Sequence, residues 1–514
     1  MPSGTENRPV NGNTLATSPG FTARQVPEPL ARIFREKTIS PYQGGMMKKH
    51  AWFMAFMLFA AAVLAGCRED TAVISTTNLP LGGTQGKTLL LNTNDPDNVE
   101  PVILDTPGCA MVSVRSADGK KVFIAQRRTG NDVISVVDAD TKTATELAIE
   151  PHTLQVRHIW DMVLSGDGAK LLVGTRNSAF TSCEVEIYDA TSLSRLASFS
   201  LKRFWADYYR IGLKLAVNPV RDELYAMVKG DEIQDVRIRA LGFDGAFLGE
   251  DLTMNADHWD YNYGFGVSSN GRLLIGVSDK IYPFEATDEG LVPLPPIAGD
   301  EDEDFSYHGK VKVLFAEDFS VVYITSSGVY LPGTTNLGGV CSVLNVGKIL
   351  AGDPDPFIHS TVDFIYDDFI TWVAGNLSST VGDILDPLQL YGIADACMVG
   401  NTCYMVIASV AGLGTDMADI TDGKYILSAF ETMPLGSQVW LGGKVLTRYP
   451  SSLSVNGAGD TLVITYPWNK AVDILKKKGS WLTPESTTVD LDALEPLGNE
   501  TYPKSVDMTA VERE

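Results

Sequence analysis

Short apolar runs separated by tight polar turns recur along most of the chain. In the first full copy, the apolar residues 111–114 precede an Asp-Gly-Lys turn at residues 118–120, and the apolar residues 122–125 follow it. Runs of about four to eight residues bounded by Asp, Gly or Asn are typical of β-strands joined by hairpin turns. The equivalent turn positions 119, 168, 221, 271 and 319 are separated by 49, 53, 50 and 48 residues. The pattern therefore predicts an all-β fold built from repeats.

A repeat of this length with several strands per copy is typical of a β-propeller, in which each blade packs its faces against neighbouring blades. Solenoids have shorter repeats, and a β-sandwich would not keep the same spacing through five copies. We predict seven blades of mostly four antiparallel strands. Residues 350–410 break the pattern. They hold either an irregular insertion or a divergent blade, and the latter would make eight blades.

The ring is predicted to be closed by N-terminal strands. Residues 88–92 and 99–103 resemble the outer strands of a blade and precede the first full copy. Pairing them with the last blade would leave no free sheet edge. The propeller is thus predicted to span residues 88–490, after a flexible tether at 67–87 and before a C-terminal tail at 491–514.

The stretch from Asp118 to Ile149 also carries outer strands at residues 132–138 and 145–149. It resembles a blade of the YVTN family of bacterial β-propellers, which reads Asp-Gly-Lys, a strand, an Asn-rich turn and Val-Ser-Val-Ile-Asp. Gln-Arg-Arg at residues 126–128 replaces the Asn-rich segment, and later copies keep mainly the turn and the apolar strands. The resemblance implies the propeller fold, which other propeller families share.

An apolar run at residues 51–64 follows two lysines and ends in Leu64, Ala65, Gly66 and Cys67. This segment resembles a bacterial lipoprotein signal. The resemblance implies a signal peptide at residues 46–66, cleavage before Cys67 and lipidation of the Cys67 sulfur. Residues 1–45 precede the expected start of such a signal, so we interpret them as a mis-assigned or disordered leader.

The alternative is an ordinary secretory or transmembrane segment. Residues 51–66 are 16 in number, whereas a membrane-spanning helix needs about 20. Several acyl chains anchor a protein without such a helix. We therefore expect a lipid-anchored protein of the bacterial cell envelope. Under the enterobacterial sorting rule, an Asp directly after the lipidated cysteine keeps a lipoprotein from the outer membrane. Here the residue after Cys67 is Arg68, which favours the outer membrane, on its periplasmic or surface face, over the inner membrane.

The chain after residue 66 has 34 Lys and Arg against 61 Asp and Glu, a net charge of −27. Such a surface repels polyanions, which argues against a nucleic-acid partner. Cys397 and Cys403 flank a Gly-Asn pair that is expected to turn a hairpin, and we predict a disulfide between them. The chain has no Cys-x-x-Cys-His sequence, so covalent c-type haem is excluded.

The segments that precede the innermost strands are rich in aromatic residues, Asp and His at matching places in the repeat. If the blades are equivalent, these segments converge at one mouth of the central channel. There, aromatic rings and carboxylates would suit a polar ring compound such as a sugar. The candidate binding residues are His158, Trp160, Asp161, Trp205, Asp207, Tyr208, Arg210, His258, Trp259, Asp260, Tyr261, Tyr307 and His308.

Other interpretations stay open. The same aromatic and His side chains are of types that pack between blades. His158, His258, His308 and His359 lie 100, 50 and 51 residues apart, so three imidazoles meeting at the axis would hold a transition metal. The acidic run 300–304 offers oxygen ligands for Ca²⁺. No cofactor is predicted outright.

The sequence thus favours a membrane-anchored binding or scaffolding module for a protein partner or polar ligand. The competing prediction is a propeller enzyme, either a lactonase-like hydrolase or a sugar-acting lyase. In that case Asp161, Asp207, Asp260 and the histidines would perform acid–base or metal-dependent chemistry. No Gly-x-Ser-x-Gly or His-Glu-x-x-His sequence occurs, so the familiar hydrolase motifs do not support the enzyme.

Overall fold

The chain divides into two units, residues 1–66 and 67–514. The computed structural model describes residues 68–78, 85–94, 102–106, 108–116, 118–149, 156–177, 183–201, 213–229, 235–255, 264–278, 280–298, 311–326, 341–359, 390–409, 425–433, 438–494, 497 and 502–512. All of these belong to the second unit. The predicted leader and signal peptide lie outside them. Among these residues no helix is both long and apolar enough to cross a bilayer.

Nearly all of the regular structure is β-strand. The first strands are β1 (Arg68–Thr77), β2 (Lys87–Asn92), β3 (Val102–Asp105), β4 (Cys109–Arg115), β5 (Lys121–Arg127), β6 (Val133–Asp138), β7 (Thr143–Ala148), β8 (Arg157–Leu164), β9 (Lys170–Asn177), β10 (Cys183–Asp189) and β11 (Arg195–Ser200). The next are β12 (Lys214–Val217), β13 (Glu223–Lys229), β14 (Asp235–Gly242), β15 (Leu252–Asn255), β16 (Gly264–Val267), β17 (Leu273–Val277), β18 (Ile281–Thr287), β19 (Gly290–Pro293), β20 (Val311–Phe315), β21 (Val321–Ser326) and β22 (Cys341–Asn345). The short helix α1 (Val346–Leu350) precedes β23 (Phe357–His359), β24 (Leu390–Val399), β25 (Thr402–Ser409), β26 (Tyr425–Thr432), β27 (Gln438–Leu446), β28 (Ser452–Val455), β29 (Thr461–Tyr466), β30 (Ala471–Lys478), β31 (Ser480–Asp490) and β32 (Tyr502–Glu512).

These strands form eight four-stranded antiparallel sheets within the described residues. Blades 1 to 7 each use four consecutive strands, from β4–β7 to β28–β31, and blade 8 has the order β3-β2-β1-β32. The first strands of successive blades lie side by side, and β32 lies beside β28 and β4. The innermost strands therefore surround a central channel. The predicted propeller fold is confirmed, and the number of blades is eight, which was the alternative to the predicted seven.

Burial explains why the middle strands of a blade are the most apolar. Both faces of β5 and β17 are covered by neighbouring blades, and nearly all their residues are buried. The outermost strands β7 and β11 face solvent and are largely exposed. Burying both faces of a middle strand produces continuous apolar runs, and these were the sequence signal for the repeat.

The Asp-Gly turns are structural elements. Gly168 adopts a φ of +70°, which a side chain would make costly. Ser165 Oγ donates a hydrogen bond to Asp167 Oδ1 at 2.5 Å and accepts one from the Lys170 N–H at 2.9 Å. The Ser165 hydroxyl lowers the pKa of the Asp167 carboxyl. The turn around Asp118 has the same bonds, so the repeat encodes hairpins.

Antiparallel order defines two faces of the ring. The turn face carries the turns between the first and second strands and between the third and fourth strands of each blade. The loop face carries the connections between the second and third strands and those that lead from one blade into the next. His158, near the start of β8, lies toward the loop face.

Ring closure confirms one prediction and corrects two. As predicted, β2 and β3 are outer strands of the closing blade. The predicted tether at 67–87 is wrong, because residues 68–77 form β1, which pairs with β2 and β32. The predicted tail at 491–514 is also wrong, because β32 is the innermost strand of that blade. Ala72 and Ile74 are fully buried there, so the hydrophobic effect favours docking of this segment over leaving it as a tether.

The irregular region 350–410 contains the boundary between blades 5 and 6. Helix α1 is inserted between β22 and β23, and the next described strand is β24. Asn345 caps the helix by accepting a hydrogen bond from the Lys348 N–H at 3.0 Å. Residues 360–389 separate β23 from β24, so the spacing of the repeat is lost here.

The predicted disulfide between Cys397 and Cys403 is wrong. Gly400 and Asn401 do turn the expected hairpin, but Cys397 is opposite Tyr404 and Cys403 is opposite Met398. Adjacent pairs of a ladder point to opposite faces of the sheet. Cys403 accordingly packs between blades 5 and 6, and Cys397 packs on the other face. Both are free thiols, as are Cys109, Cys183 and Cys341.

We expect the five cysteines after Cys67 to resist alkylation in the folded protein. Burial raises the pKa of Cys183, Cys341 and Cys397 to about 12, which leaves little thiolate at neutral pH. Mass spectrometry after maleimide treatment should find no adduct on them in native buffer and five adducts in denaturant. Fewer than five in denaturant, restored by a reductant, would indicate a disulfide.

Candidate functional site

Aspartate side chains of one blade accept hydrogen bonds from backbone N–H groups of the innermost strand of the next blade. Asp161 Oδ2 accepts the Leu215 N–H at 2.9 Å, and Asp395 Oδ2 accepts the Leu453 N–H at 3.0 Å. Both aspartates follow an irregularity in the pairing of their strand, which turns the side chain toward the adjacent blade. Asp161 is therefore tied to the backbone of blade 3.

The pKa of Asp161 is raised above its ordinary value. Burial is the main cause, and it is opposed by Lys214 and by the backbone N–H groups of Leu215 and Met162. A raised pKa means that ionised Asp161 is less favourable in the folded than in the unfolded chain. Its contribution to stability is therefore fully present below the ordinary carboxyl pKa and falls as pH rises through the folded pKa.

We predict that Asp161→Asn and Asp161→Ala differ in stability. The amide oxygen of Asn still accepts the Leu215 N–H and carries no buried charge, so Asp161→Asn should be at least as stable as the wild type at pH 7. Asp161→Ala leaves that N–H without its acceptor and should lose about 1–3 kcal/mol of unfolding free energy. Urea unfolding at pH 7 measures both. Equal losses would show that the hydrogen bond is unimportant.

His158 is held by a buried carboxylate from blade 1. Its Nδ1 lies 3.2 Å from Asp132 Oδ1, and the Asp132 side chain is fully buried. Asp132 Oδ2 also accepts the Ile159 N–H at 2.8 Å and Arg127 Nε at 3.1 Å. These contacts fix the imidazole ring at the start of an innermost strand. About a fifth of the His158 side chain stays accessible.

The Asp132 contact orients the ring of His158. If neutral His158 donates from Nδ1 to the carboxylate, its Nε2 carries the lone pair. Nε2 has no hydrogen-bond partner among the described residues. The arrangement thus presents an oriented acceptor that would bind a hydroxyl, take a proton or ligate a metal.

A buried ion-pair network lies beneath this histidine. Arg157 donates to Glu186 Oε1 at 2.5 Å, to Glu184 Oε2 at 2.6 Å and to Thr175 Oγ1 at 2.6 Å. Glu186 is fully buried and also accepts the Tyr188 hydroxyl hydrogen. Burial, and then Glu186, raise the pKa of Tyr188, so the phenol remains a donor. The network anchors the start of β8 to β9 and β10.

Trp160 has a packing role. Its ring lies 4.7 Å from the Arg176 guanidinium and packs against the apolar cluster between blades 2 and 3. Arg176 is itself almost fully buried, and burial lowers its pKa. The indole N–H of Trp160 is buried without an acceptor in the described part of the chain. For Trp160 the structure favours the packing interpretation raised from the sequence.

Charged side chains on the innermost strands connect blades 5 and 6. Lys312 Nζ lies 2.6 Å from Asp395 Oδ1 and donates to the Ala396 carbonyl at 2.7 Å. Burial lowers the pKa of Lys312, but Asp395, together with Cys397 and Asp507, raises it, and the net direction is upward. The lysine therefore stays charged and joins blade 5 to blade 6.

Of the candidate binding residues, His158, Trp160 and Asp161 are in the described part of the chain. The other ten lie outside the described residues, namely Trp205, Asp207, Tyr208, Arg210, His258, Trp259, Asp260, Tyr261, Tyr307 and His308. His359 belongs to β23, the outermost strand of blade 5. It does not join His158 at the inner strands, because the long connections before and after β22 place residue 359 in the fourth strand of its blade. The described residues contain no cluster of three His, Cys, Asp or Glu side chains suited to a metal.

Sequence reasoning missed the residues that orient His158. Asp132 precedes the third strand of blade 1, 26 residues before His158, and Arg127 ends the second strand of that blade. The available signal was the polar stretch between two buried strands, which places these side chains at the loop face. The packing of blade 1 against blade 2 brings them to His158.

Comparison with models of protein families gives no match, and neither does comparison with curated proteins. Several solved structures are similar in fold. Dihydro-haem d1 dehydrogenase NirN is 13% identical, with 85% of this chain and 74% of that chain covered and a TM-score of 0.49. A 6-phosphogluconolactonase-like protein from Bacteroides fragilis is 12% identical, with 86% and 98% covered and a TM-score of 0.45. The WD40 repeats of RRP9 are 14% identical, with 69% and 86% covered and a TM-score of 0.40. These similarities concern the propeller fold alone.

Proposed function

We propose that the chain is a lipid-anchored protein of the bacterial cell envelope whose propeller binds a polar ligand or protein partner at its loop face. The main support is the geometry at His158. A buried carboxylate from one blade orients an imidazole at the start of an inner strand of the next. The Nε2 acceptor has no partner in the described part of the chain, which favours recognition of a hydrogen-bond donor.

The aromatic and acidic segments at residues 202–210, 256–263 and 305–308 support the same face. They lead from blades 2, 3 and 4 into the following inner strands. The strands that flank these segments end and begin at the loop face, where β8 also begins. In the proposed contact surface, blade 2 contributes His158.

The anchoring proposal rests on the sequence at residues 46–67. Intact-mass and peptide analysis of the protein extracted from bacterial membranes tests it directly. An N-terminal Cys67 carrying a diacylglyceryl group is expected. Cleavage elsewhere, or Cys67 without lipid, would contradict the anchor. The variant Cys67→Ser should remain unprocessed.

We expect His158→Ala to weaken ligand or partner capture by about tenfold while leaving the propeller folded. Immobilised full-length protein would be presented with envelope extract and with a panel of soluble oligosaccharides. Retained components would be compared between variants. Glu289→Gln, an exposed change on the turn face, is the control. Equal retention by His158→Ala would remove His158 from the binding surface.

The second candidate function is a propeller enzyme with His158 as general base. The specific observation that favours it is the pairing of His158 with Asp132, since a buried carboxylate on Nδ1 makes Nε2 the proton acceptor. In this case Asp132 is a positioning residue. Asp132→Asn should lower kcat far more than it raises KM toward a lactone or sugar substrate.

A metal-dependent variant of this enzyme is tested by elemental analysis. One transition metal per chain, lost in His158→Ala and in His258→Ala, would favour it. Turnover that survives chelation and both substitutions would contradict it.

A further inference from the structure

We propose that the turn face of the propeller lies against the membrane, so that the loop face points away from the lipid. The inference rests on the proposed lipidation of Cys67. It goes further by assigning the membrane-contacting surface and the orientation of the binding face.

The first step is the position of the N-terminal strand. Strand β1 begins at Arg68, whose register partner is Glu512 near the end of β32. Asp70 Oδ2 accepts a hydrogen bond from Asn456 Nδ2 at 2.7 Å. Asn456 starts the turn between β28 and β29, which belongs to the turn face. The start of β1 is therefore at the turn face.

The second step is the absence of a spacer. Cys67 is the residue before Arg68, and consecutive Cα atoms are about 3.8 Å apart. A lipidated Cys67 would thus attach the acyl chains directly to the first residue of a sheet strand. Many lipid-anchored domains are held by long linkers, which allow any orientation. Here the anchor is fixed to one face of a closed ring.

The third step is the composition of the turn face. Val220, in the turn between β12 and β13, is 63% exposed, and Phe247, between β14 and β15, is 61% exposed. Leu196 and Val439 are also exposed, and each is the second residue of an outermost strand that starts at the turn face. Apolar side chains on the face that carries the anchor favour contact with the interfacial region of a bilayer.

Charge restricts the kind of lipid surface. The turn face also carries exposed acidic residues, among them Asp140, Asp288 and Glu289. The mature chain has a net charge of −27. Anionic headgroups would repel such a face within a Debye length. The proposed contact is therefore with a zwitterionic surface, and it should weaken as anionic lipid is added.

The orientation has a functional consequence. A strand of seven residues such as β18 spans about 23 Å, which sets the distance between the two faces. His158 would thus be held at roughly this height and be open to partners in the surrounding solution.

Fluorescence quenching tests the orientation on the full-length protein. The lipidated chain is purified from bacterial membranes, checked for acylated Cys67, and inserted into phosphatidylcholine vesicles with a quencher on the lipid headgroups. Single dye sites form matched pairs: Lys280→Cys on the loop face and Glu289→Cys on the turn face of blade 4, and Thr129→Cys and Asp140→Cys in blade 1. The native thiols do not interfere, because four of the five are buried and Cys397 has a pKa of about 12.

The expected result is loss of most fluorescence at Glu289→Cys and Asp140→Cys and little loss at Lys280→Cys and Thr129→Cys. Blade 4 is opposite the closing blade, so quenching there shows that the whole face lies on the membrane. Quenching confined to blade 1, or stronger at either loop-face site, overturns the proposal. Unacylated Cys67 would instead overturn the anchor, which the mass measurement detects separately.

The apolar contribution has its own test. The double variant Val220→Ser and Phe247→Ser should reduce quenching at Glu289→Cys. Met111→Ser, a change of similar polarity at the 46% exposed Met111 of the inner strand β4, should leave the quenching unchanged. Equal quenching in both variants would overturn the role of the turn-face side chains.

Discussion

Replacement of Arg157 by alanine is expected to lower the free energy of unfolding by about 3–5 kcal/mol. The Arg157 side chain is 3% exposed and is the partner of Glu186, which is fully buried, and of Glu184. Without the guanidinium, Glu186 keeps the Tyr188 hydroxyl and the more distant Arg195 as its partners among the described residues. A buried carboxylate that loses its main cation is strongly destabilising, because desolvation is no longer offset.

Arg195→Ala is the matched control for this prediction. Arg195 is 3.6 Å from the same Glu186 Oε1 but is 43% exposed, so its removal should cost less than about 1 kcal/mol. The free energies of unfolding of the two variants are compared by denaturation in guanidinium chloride, followed by tryptophan fluorescence. Similar losses of unfolding free energy in the two variants would mean that other groups stabilise the Glu186 carboxylate when Arg157 is removed. A folded Arg157→Ala protein should also show altered His158 function, since both residues lie at the start of β8.

The fold could be predicted because its strongest determinants are local. A buried strand is apolar on both faces, and the Ser-x-Asp-Gly turn closes on itself through bonds among residues 165–170. Both features leave a mark within a few residues of sequence, and their repetition indicates blades. The propeller and its closing strands β2 and β3 follow from that information.

Features that depend on distant partners were not predictable. Strand β1 owes its place to pairing with β32, more than 400 residues later, so the sequence analysis placed the start of the propeller at β2 and predicted a tether before it. The Cys397–Cys403 disulfide was inferred from spacing, but strand register places the two thiols on opposite faces. A shift of one residue would have reversed that outcome.

In the candidate site, too, local features could be predicted and features that depend on distant partners could not. His158 was identified from its place in the repeat, whereas its partner Asp132 is set by the packing of two blades. Asp161 was identified by the same pattern, yet an irregularity in strand pairing ties it to Leu215. The repeat determines the position of a residue along an innermost strand. The bulges and interblade bonds then decide whether its side chain is free to act.

Asp395→Ala is expected to have the second large effect on stability. Two groups lose a partner at once: Lys312, whose Nζ lies 2.6 Å from Asp395, and the Leu453 N–H. Breaking a buried pair by removing one charge costs about 3–5 kcal/mol. Replacing both charges, as in Lys312→Met with Asp395→Leu, should recover much of the loss, because apolar side chains leave no unpaired charge.

The pH dependence distinguishes the ion pair from simple packing. Burial lowers the folded pKa of Lys312, but Asp395, together with Cys397 and Asp507, brings it above its ordinary value. The stability from this pair is therefore fully present below the unfolded lysine pKa and is lost as pH rises through the folded pKa. Wild type and the double variant should converge in stability in alkaline urea titrations. A difference that stays constant as the pH is raised well past 10.5 would contradict the ion pair and assign the effect of Asp395→Ala to the Leu453 hydrogen bond alone.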